Sequence, residues 1–353
     1  MSSSTFQRIK DLKSFKRPAT WSAIKTIEMH TGGEPLRVVV DGFPSLEGDS
    51  LLANRRYVKE NYDHLRKLLM FEPRGHADMY GCIMLPPFHE EADFSVIFMH
   101  NEGYSTMCGH AVIALTKLAV EMGWVEIKEP ITSINIEAPC GLVRAYAQVE
   151  EGRVIATGFH GVPSFVLADN VQIDVKGMGK LKMDIAYGGA FYAYVDAQNA
   201  GIELIPENYP EIIEAGRAIK QAVINSGLKI EHPFEADLGF LYGTIFMDTS
   251  PVAGVDSRNV CVFADGEVDR SPTGSGVSGR MALHHQQGIL KEGESMTIES
   301  IVGSRFTGKV TSIIKFGPYD AVIPEVWGTA HISGQNEFYL DPDDPFQEGF
   351  LLR

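Results

Sequence analysis

Cysteine is scarce in this chain: four in 353 residues, Cys82, Cys108, Cys140 and Cys261, with no Cys-x-x-Cys pair. So few cannot form a disulfide scaffold, and a reducing, cytoplasmic setting is expected. Basic charge is also in deficit. Lys and Arg total 31 against 46 Asp and Glu, a net charge of −15, whereas nucleic-acid binding needs a concentrated cationic face. No apolar run approaches the roughly 18 residues of a membrane-spanning helix. The opening stretch, Met1 to Pro18, lacks the apolar segment of a secretory signal and reads as a loose tail. Eleven histidines never fall into an H-E-x-x-H pattern, so neither a metal nor a cofactor is expected.

What remains is an ordinary globular composition, 44% hydrophobic and 22% charged. Its length is generous for one core and suits two lobes. An internal duplication supports that division. Met107-Cys108-Gly109-His110-Ala111-Val112 and Pro272-Thr273-Gly274-Ser275-Gly276-Val277 lie 165 positions apart, and each reads as a helix beginning at a thiol or a hydroxyl. Three further correspondences keep the same order. Glu28-Met29-His30-Thr31-Gly32-Gly33 meets Asp184-Ile185-Ala186-Tyr187-Gly188-Gly189. Ser95 to Met99 meets Val260 to Ala264, and Ile136 to Gly141 meets Ile298 to Gly303.

Each half therefore has one grammar. A strand enters a Gly-Gly turn and leaves as a second strand, Leu36 to Val40 or Phe191 to Val195. A short apolar strand, a polar loop and a helix follow. The helices run from about Gly109 to Met122 and from about Gly274 to Gln287, the second with an apolar stripe along Val277, Met281 and His284. Strands at Ser133 to Glu137, Val143 to Val149, Met296 to Ser300 and Lys309 to Phe316 come next, and Ile205 to Leu228 reads as an extra helix. The expectation is a two-lobed α+β architecture. A tail spans 1–20, the first lobe 21–155 with 325–353 returning to it, and the second lobe 156–324.

A helix start offers unpaired N–H groups and positive partial charge, which favours an anion and lowers a thiol's pKa. Cys108 precedes the apolar stripe of its helix, so the sulfur is expected at the helix mouth as a thiolate. Thr273 holds the matching place; it is a good N-cap, and its alcohol cannot rest ionised. Two such starts facing one cleft would hold a carboxylate beside a single sulfur base. His110 could bind that carboxylate or share a proton with Cys108. Gly109 and Gly274 let a ligand approach the backbone, and Ser275 adds a hydroxyl. Asp269, four residues before Thr273, is either a solvated turn or a carboxylate that holds a substrate nitrogen. The run Gly274-x-Gly276-x-x-Gly279 satisfies dinucleotide-binding spacing, but the preceding strand ends near Ala264, too far upstream for that fingerprint.

These residues resemble the proline racemase family, whose members are similar in fold to diaminopimelate epimerase. The resemblance rests on His30-Thr31-Gly32-Gly33-Glu34-Pro35, Met107-Cys108-Gly109-His110, Asp269-Arg270-Ser271-Pro272-Thr273-Gly274-Ser275-Gly276 and Asp341-Pro342-Asp343-Asp344-Pro345-Phe346. It implies two pseudosymmetric lobes, each a barrel-like sheet around a central helix, closing over an imino acid, and a homodimer. Racemases and epimerases of the family carry a cysteine at both helix starts; this chain departs from them at Thr273. The subgroup with Thr there dehydrates trans-3-hydroxy-L-proline to Δ1-pyrroline-2-carboxylate without a cofactor. By that resemblance Cys108 and Thr273 are the catalytic pair, and Gly109, His110, Asp269, Gly274 and Ser275 bind substrate. A racemase or 4-hydroxyproline epimerase is the alternative, and a non-catalytic amino-acid-binding protein a second.

Overall fold

Period-two burial along β-branched and aromatic runs builds most of the molecule, a computed structural model that describes residues 5–11 and 15–352. Residues 1–4 and 12–14 of the expected tail lie outside the described residues. Within that tail, helix α1 (Thr5–Asp11) buries no residue, so a loose segment is replaced by about two exposed helical turns. In the first half β1 (Ser22–Thr31), β2 (Glu34–Asp41), β3 (Tyr80–Leu85) and β4 (Phe94–His100) precede β5 (Ile131–Ala138), β6 (Gly141–Glu150), β7 (Arg153–His160) and β8 (Ser164–Val175). The second half has β9 (Gly179–Tyr187), β10 (Phe191–Asp196), β11 (Leu241–Asp248), β12 (Ser257–Phe263) and β13 (Glu267–Asp269). It ends with β14 (Ser295–Glu299), β15 (Arg305–Phe316), β16 (Tyr319–Gly328) and β17 (Ala330–Leu340).

The pairing order repeats. β1 and β2 form an antiparallel hairpin, β2 runs parallel to β3, β3 antiparallel to β4, and β4 parallel to β5. In the same way β9 and β10 form a hairpin, β10 runs parallel to β11, β11 antiparallel to β12, and β12 parallel to β14. The last strands are exchanged. β8 closes the first half yet pairs with β9, and β17 closes the second yet pairs with β1. Strand β16 touches both β7 and β8 and so joins the two curved sheets. The result is an α+β fold of two pseudosymmetric, barrel-like lobes.

Helices α2 (Leu51–Asn61) and α3 (Asp63–Met70), which the sequence reading did not anticipate, cover the outside of β4. Helix α4 (Gly109–Glu121) is buried at eleven of its thirteen positions, so it is apolar all round and not striped. Burying Val112, Ile113, Leu115 and Leu118 inside the first sheet stabilises it by roughly 1.5–3 kcal/mol each. Helix α5 (Tyr209–Asn225) follows a 3₁₀ turn at Pro206–Asn208 and packs Ile212, Ile219 and Val223 on the second lobe. Helix α6 (Gly274–Gln286) is also buried well beyond a single stripe, but with small residues where α4 has large ones. A methyl on Gly276 would meet Ile245 at 2.3 Å, and one on Gly279 would meet the Tyr194 hydroxyl at 2.3 Å. Those glycines serve close helix–sheet packing, which is why they mimic a dinucleotide fingerprint.

Gly188, in the turn between β9 and β10, marks the tightest such approach. A Cβ there would lie 2.1 Å from the Ser275 carbonyl oxygen and 2.4 Å from the Gly279 nitrogen, both backbone atoms. Gly188→Ala is therefore expected to cost at least about 1–3 kcal/mol and lower Tm in thermal melts. Gly103→Ala, where a methyl meets nothing within 4 Å, should melt within about 0.5 kcal/mol of the parent; equal melting of the two variants would contradict this packing.

Candidate active site

The two central helices meet head to head. A Cβ built on Gly109 would lie 2.5 Å from the Gly274 Cα, and one on Gly274 would lie 2.6 Å from the Gly109 Cα. Only glycine at both positions lets the helix starts approach so closely. Cys108 is the N-cap of α4 and Thr273 the N-cap of α6, so both reactive atoms flank the junction. Cys108, Gly109, His110, Asp269, Thr273, Gly274 and Ser275, drawn together from two halves of the chain, line one cavity of about 20 Å³. That is little more than room for a water molecule, so an imino acid enters only if the walls part. A larger cavity of about 430 Å³, lined by Arg55, Lys59, His100 and Lys220, shares Tyr242 with it.

The sulfur is not at an open mouth. Cys108 is buried, and burial pushes its thiol well above the ordinary cysteine range; the nearby Asp269 carboxylate pushes the same way. The Ala111 N–H and the Tyr80 hydroxyl favour the thiolate but do not outweigh desolvation. The expected resting thiolate is thus corrected: burial keeps Cys108 a thiol at neutral pH. Its Sγ lies 3.2 Å from His110 Nδ1. Burial lowers the His110 pKa, so the ring is neutral, and the Pro35 carbonyl accepts from it. A neutral imidazole has one N–H, so its other nitrogen is free to accept from the thiol.

Thr273 departs from a simple N-cap. Its side chain makes no capping bond, its backbone sits at φ 67°, and Oγ1 is buried without a normal hydrogen-bond partner. A β-branched residue at positive φ is strained by about 1–3 kcal/mol. Its neighbour Cys261 also lines the cavity; burial raises that thiol, and the Thr273 hydroxyl opposes the shift. Asp269 ends β13 and is buried, not a solvated turn, and its Oδ1 accepts from the Ser271 N–H at 2.7 Å. Ser275 Oγ bonds the Tyr192 hydroxyl at 2.8 Å. The first N–H groups of both helices have no intrahelical acceptor, which makes their junction a site for a carboxylate.

Several contributors were missed by sequence reasoning. Tyr80, Tyr192, Tyr242 and Phe263 wall the cavity; nothing in a strand's alternation distinguishes such residues from core. Glu34 carried a signal, because it follows the Gly32-Gly33 turn. It is fully buried; Oε2 accepts from the Arg270 N–H at 2.7 Å and Oε1 has no partner. Burial, reinforced by Asp269, raises its pKa well above the carboxylate range, so it is a neutral acid. Among the described residues no group of three or more His, Cys, Asp or Glu could hold a metal ion. Among the described residues no helix is long and apolar enough to cross a membrane.

The proline racemase family profile matches residues 26–351. The trans-3-hydroxy-L-proline dehydratase of Colwellia psychrerythraea is 52% identical over 334 residues, covering 95% of this chain and 94% of that protein. The human trans-3-hydroxy-L-proline dehydratase is 47% identical over 336 residues, covering 94% and 95%. Among solved structures, a hydroxyproline epimerase from Agrobacterium vitis with bound trans-4-hydroxy-L-proline superposes with a TM-score of 0.88. It is 32% identical and covers 94% of this chain and 96% of its own.

The raised thiol gives a pH dependence. Ionisation of Cys108 is suppressed at neutral pH, so its alkylation by iodoacetamide, followed by peptide mass spectrometry, should be slow at pH 7 and accelerate as pH rises. A rate already at its plateau below pH 7 would mean that the helix start overcomes burial after all.

Proposed function

The chain belongs to the proline racemase family, and we infer that its own reaction is the dehydration of trans-3-hydroxy-L-proline to Δ1-pyrroline-2-carboxylate. The observation that carries this reading is chemical asymmetry across one cavity, a sulfur at one helix start and an alcohol at its twin. Racemisation needs an acid on each face of Cα, and an alcohol with no ionisable proton at neutral pH is a poor second base. Elimination needs a base on one face only.

The residues divide the work as follows. Cys108, as the thiolate, removes the Cα proton. The N–H groups of Gly109, His110, Gly274 and Ser275 hold the carboxylate and the charge that grows on it, each preorganised donor contributing roughly 2.7–4 kcal/mol. Asp269 receives the positive ring nitrogen. That same positive charge, arriving beside the sulfur, makes the thiolate cheaper in the bound site than in the empty one. Departure of the C3 hydroxyl as water leaves an enamine, which tautomerises to the imine. The hydro-lyase is read as cofactor-independent. The lobes are read as 21–155 with 325–353, and 156–324; the pairing of β17 with β1 supports the return of the C-terminus. A cytoplasmic homodimer completes the proposal, the free thiols fitting a reducing compartment and light scattering testing the dimer.

Purified protein given trans-3-hydroxy-L-proline should form Δ1-pyrroline-2-carboxylate, and Cys108→Ser should lose that turnover by several orders of magnitude while still binding pyrrole-2-carboxylate. Loss of optical rotation without dehydration would instead identify an epimerase or racemase. Binding with no turnover in the parent would identify a non-catalytic binder. Thr273→Cys restores a thiol to the second face and is expected to introduce epimerisation, read as deuterium incorporation at Cα with inversion. Absence of inversion in a folded variant would argue that the two N-caps do not face one substrate.

A further inference from the structure

Stereochemistry limits where the departing hydroxyl can find its proton. In trans-3-hydroxy-L-proline the carboxylate and the C3 hydroxyl lie on opposite faces of the ring. The Cα hydrogen lies opposite the carboxylate, hence on the same face as the hydroxyl. If Cys108 takes that hydrogen, as the dehydratase reading above requires, the leaving oxygen is on the Cys108 side and turned away from Thr273. The acid must therefore be a neighbour of Cys108.

Tyr80 is a cavity-lining hydroxyl that meets that requirement, with Tyr242 behind it as its own hydrogen-bond neighbour. Tyr80, on β3, is 2% exposed, lines the catalytic cavity and packs its ring edge-on against His110 with centroids 4.8 Å apart. Its hydroxyl is hydrogen-bonded on one side to the buried Ser105 Oγ and on the other to the Cys108 sulfur. Either oxygen can donate in the Ser105 contact, and the phenol favours the Cys108 thiolate by donating to the sulfur. By contrast, the thiol beside Thr273 is Cys261, on the other helix's side of the junction.

We propose that Tyr80 is the general acid of the dehydration, donating its phenolic proton to the C3 oxygen as it departs. The step closes on itself. The Cα–H bond breaks and its proton goes to Cys108 Sγ, while its electron pair forms the Cα=C3 bond. The C3–O bond breaks with its electrons on oxygen, which takes the Tyr80 proton and leaves as water. The Cys108 thiol then returns its proton to the tyrosinate through the hydrogen bond they share. Thiolate and phenol are both restored, and no outside proton is consumed.

The test compares two leaving groups in Tyr80→Phe, with each kcat taken on its pH plateau so that a shifted Cys108 ionisation does not intrude. Chloride leaves without a proton, so trans-3-chloro-L-proline serves as the control substrate for trans-3-hydroxy-L-proline. The expected result is a loss of about a hundredfold or more in dehydration, with chloride elimination kept within the same order of magnitude and a parent-like Tm. Parallel loss on both substrates would overturn the proposal and leave Tyr80 as a positioning residue for Cys108. Undiminished dehydration would overturn it in favour of proton return directly from the Cys108 thiol. Parent protein that is folded but inert toward both compounds would sink the dehydratase reading itself, and this assignment with it.

Discussion

Two helix N-termini pressed together inside the protein impose the constraint on which the site depends. Gly109 and Gly274 touch at the backbone, so two positive dipole ends oppose one another where water is nearly excluded. That arrangement is unfavourable unless negative charge lies between or beside them. The surrounding polar residues read as answers to it. Asp269 sits at the junction, Glu34 remains a neutral acid because burial, and secondarily repulsion by Asp269, disfavours its charge, and a bound carboxylate would complete the charge balance. Binding energy for an imino acid is thus stored in the fold before the ligand arrives.

The lobes supply this geometry by repetition and then break it at one position. The same order of parallel and antiparallel pairings carries each central helix to the junction, and the exchanged strands β8 and β17 tie each half to the other. Symmetry fails at the N-caps, in backbone as well as in side chain. Cys108 has φ −144°, an ordinary extended value, whereas Thr273 sits at φ 67° with its hydroxyl unsatisfied. A strained alcohol that caps nothing gains little for the fold. Its hydroxyl lies in the cavity wall beside Cys261, and an alcohol there cannot serve as an ionised base at neutral pH.

Much of this was legible in the chain, and the limits are physical. The duplicated motifs, both helices and both N-caps could be read because helix starts are local events carried by adjacent residues. The strands flanking them were recovered from their period. The cavity walls were not, because Tyr80, Tyr192 and Cys261 arrive on strands in which an inward side chain looks the same whether it meets hydrocarbon or substrate. Helices α2 and α3 were missed because Leu51 to Met70 is broken by charged residues and owes its helicity to packing on β4. The sulfur's state was misjudged for a different reason. Helix-start stabilisation can be inferred from sequence, but the competing desolvation depends on walls such as Tyr80, Tyr192 and Phe263 that come from distant positions.

Burial of the base is consistent with elimination and not an obstacle to it. A permanently ionised thiol would be exposed to oxidation and alkylation, whereas one that ionises only beside a cationic ring nitrogen is reactive only when substrate is present. Exclusion of water strengthens every charge–dipole contact made to the growing negative charge. It also leaves the leaving hydroxyl no solvent proton to borrow. A dry site that must expel hydroxide therefore needs a proton donor of its own, placed beside the base. On the proposed dehydratase reading, the hydroxyls of Ser105 and Tyr80 beside the Cys108 sulfur are the groups placed to supply it, which would link the closure of the cavity to the chemistry performed inside it.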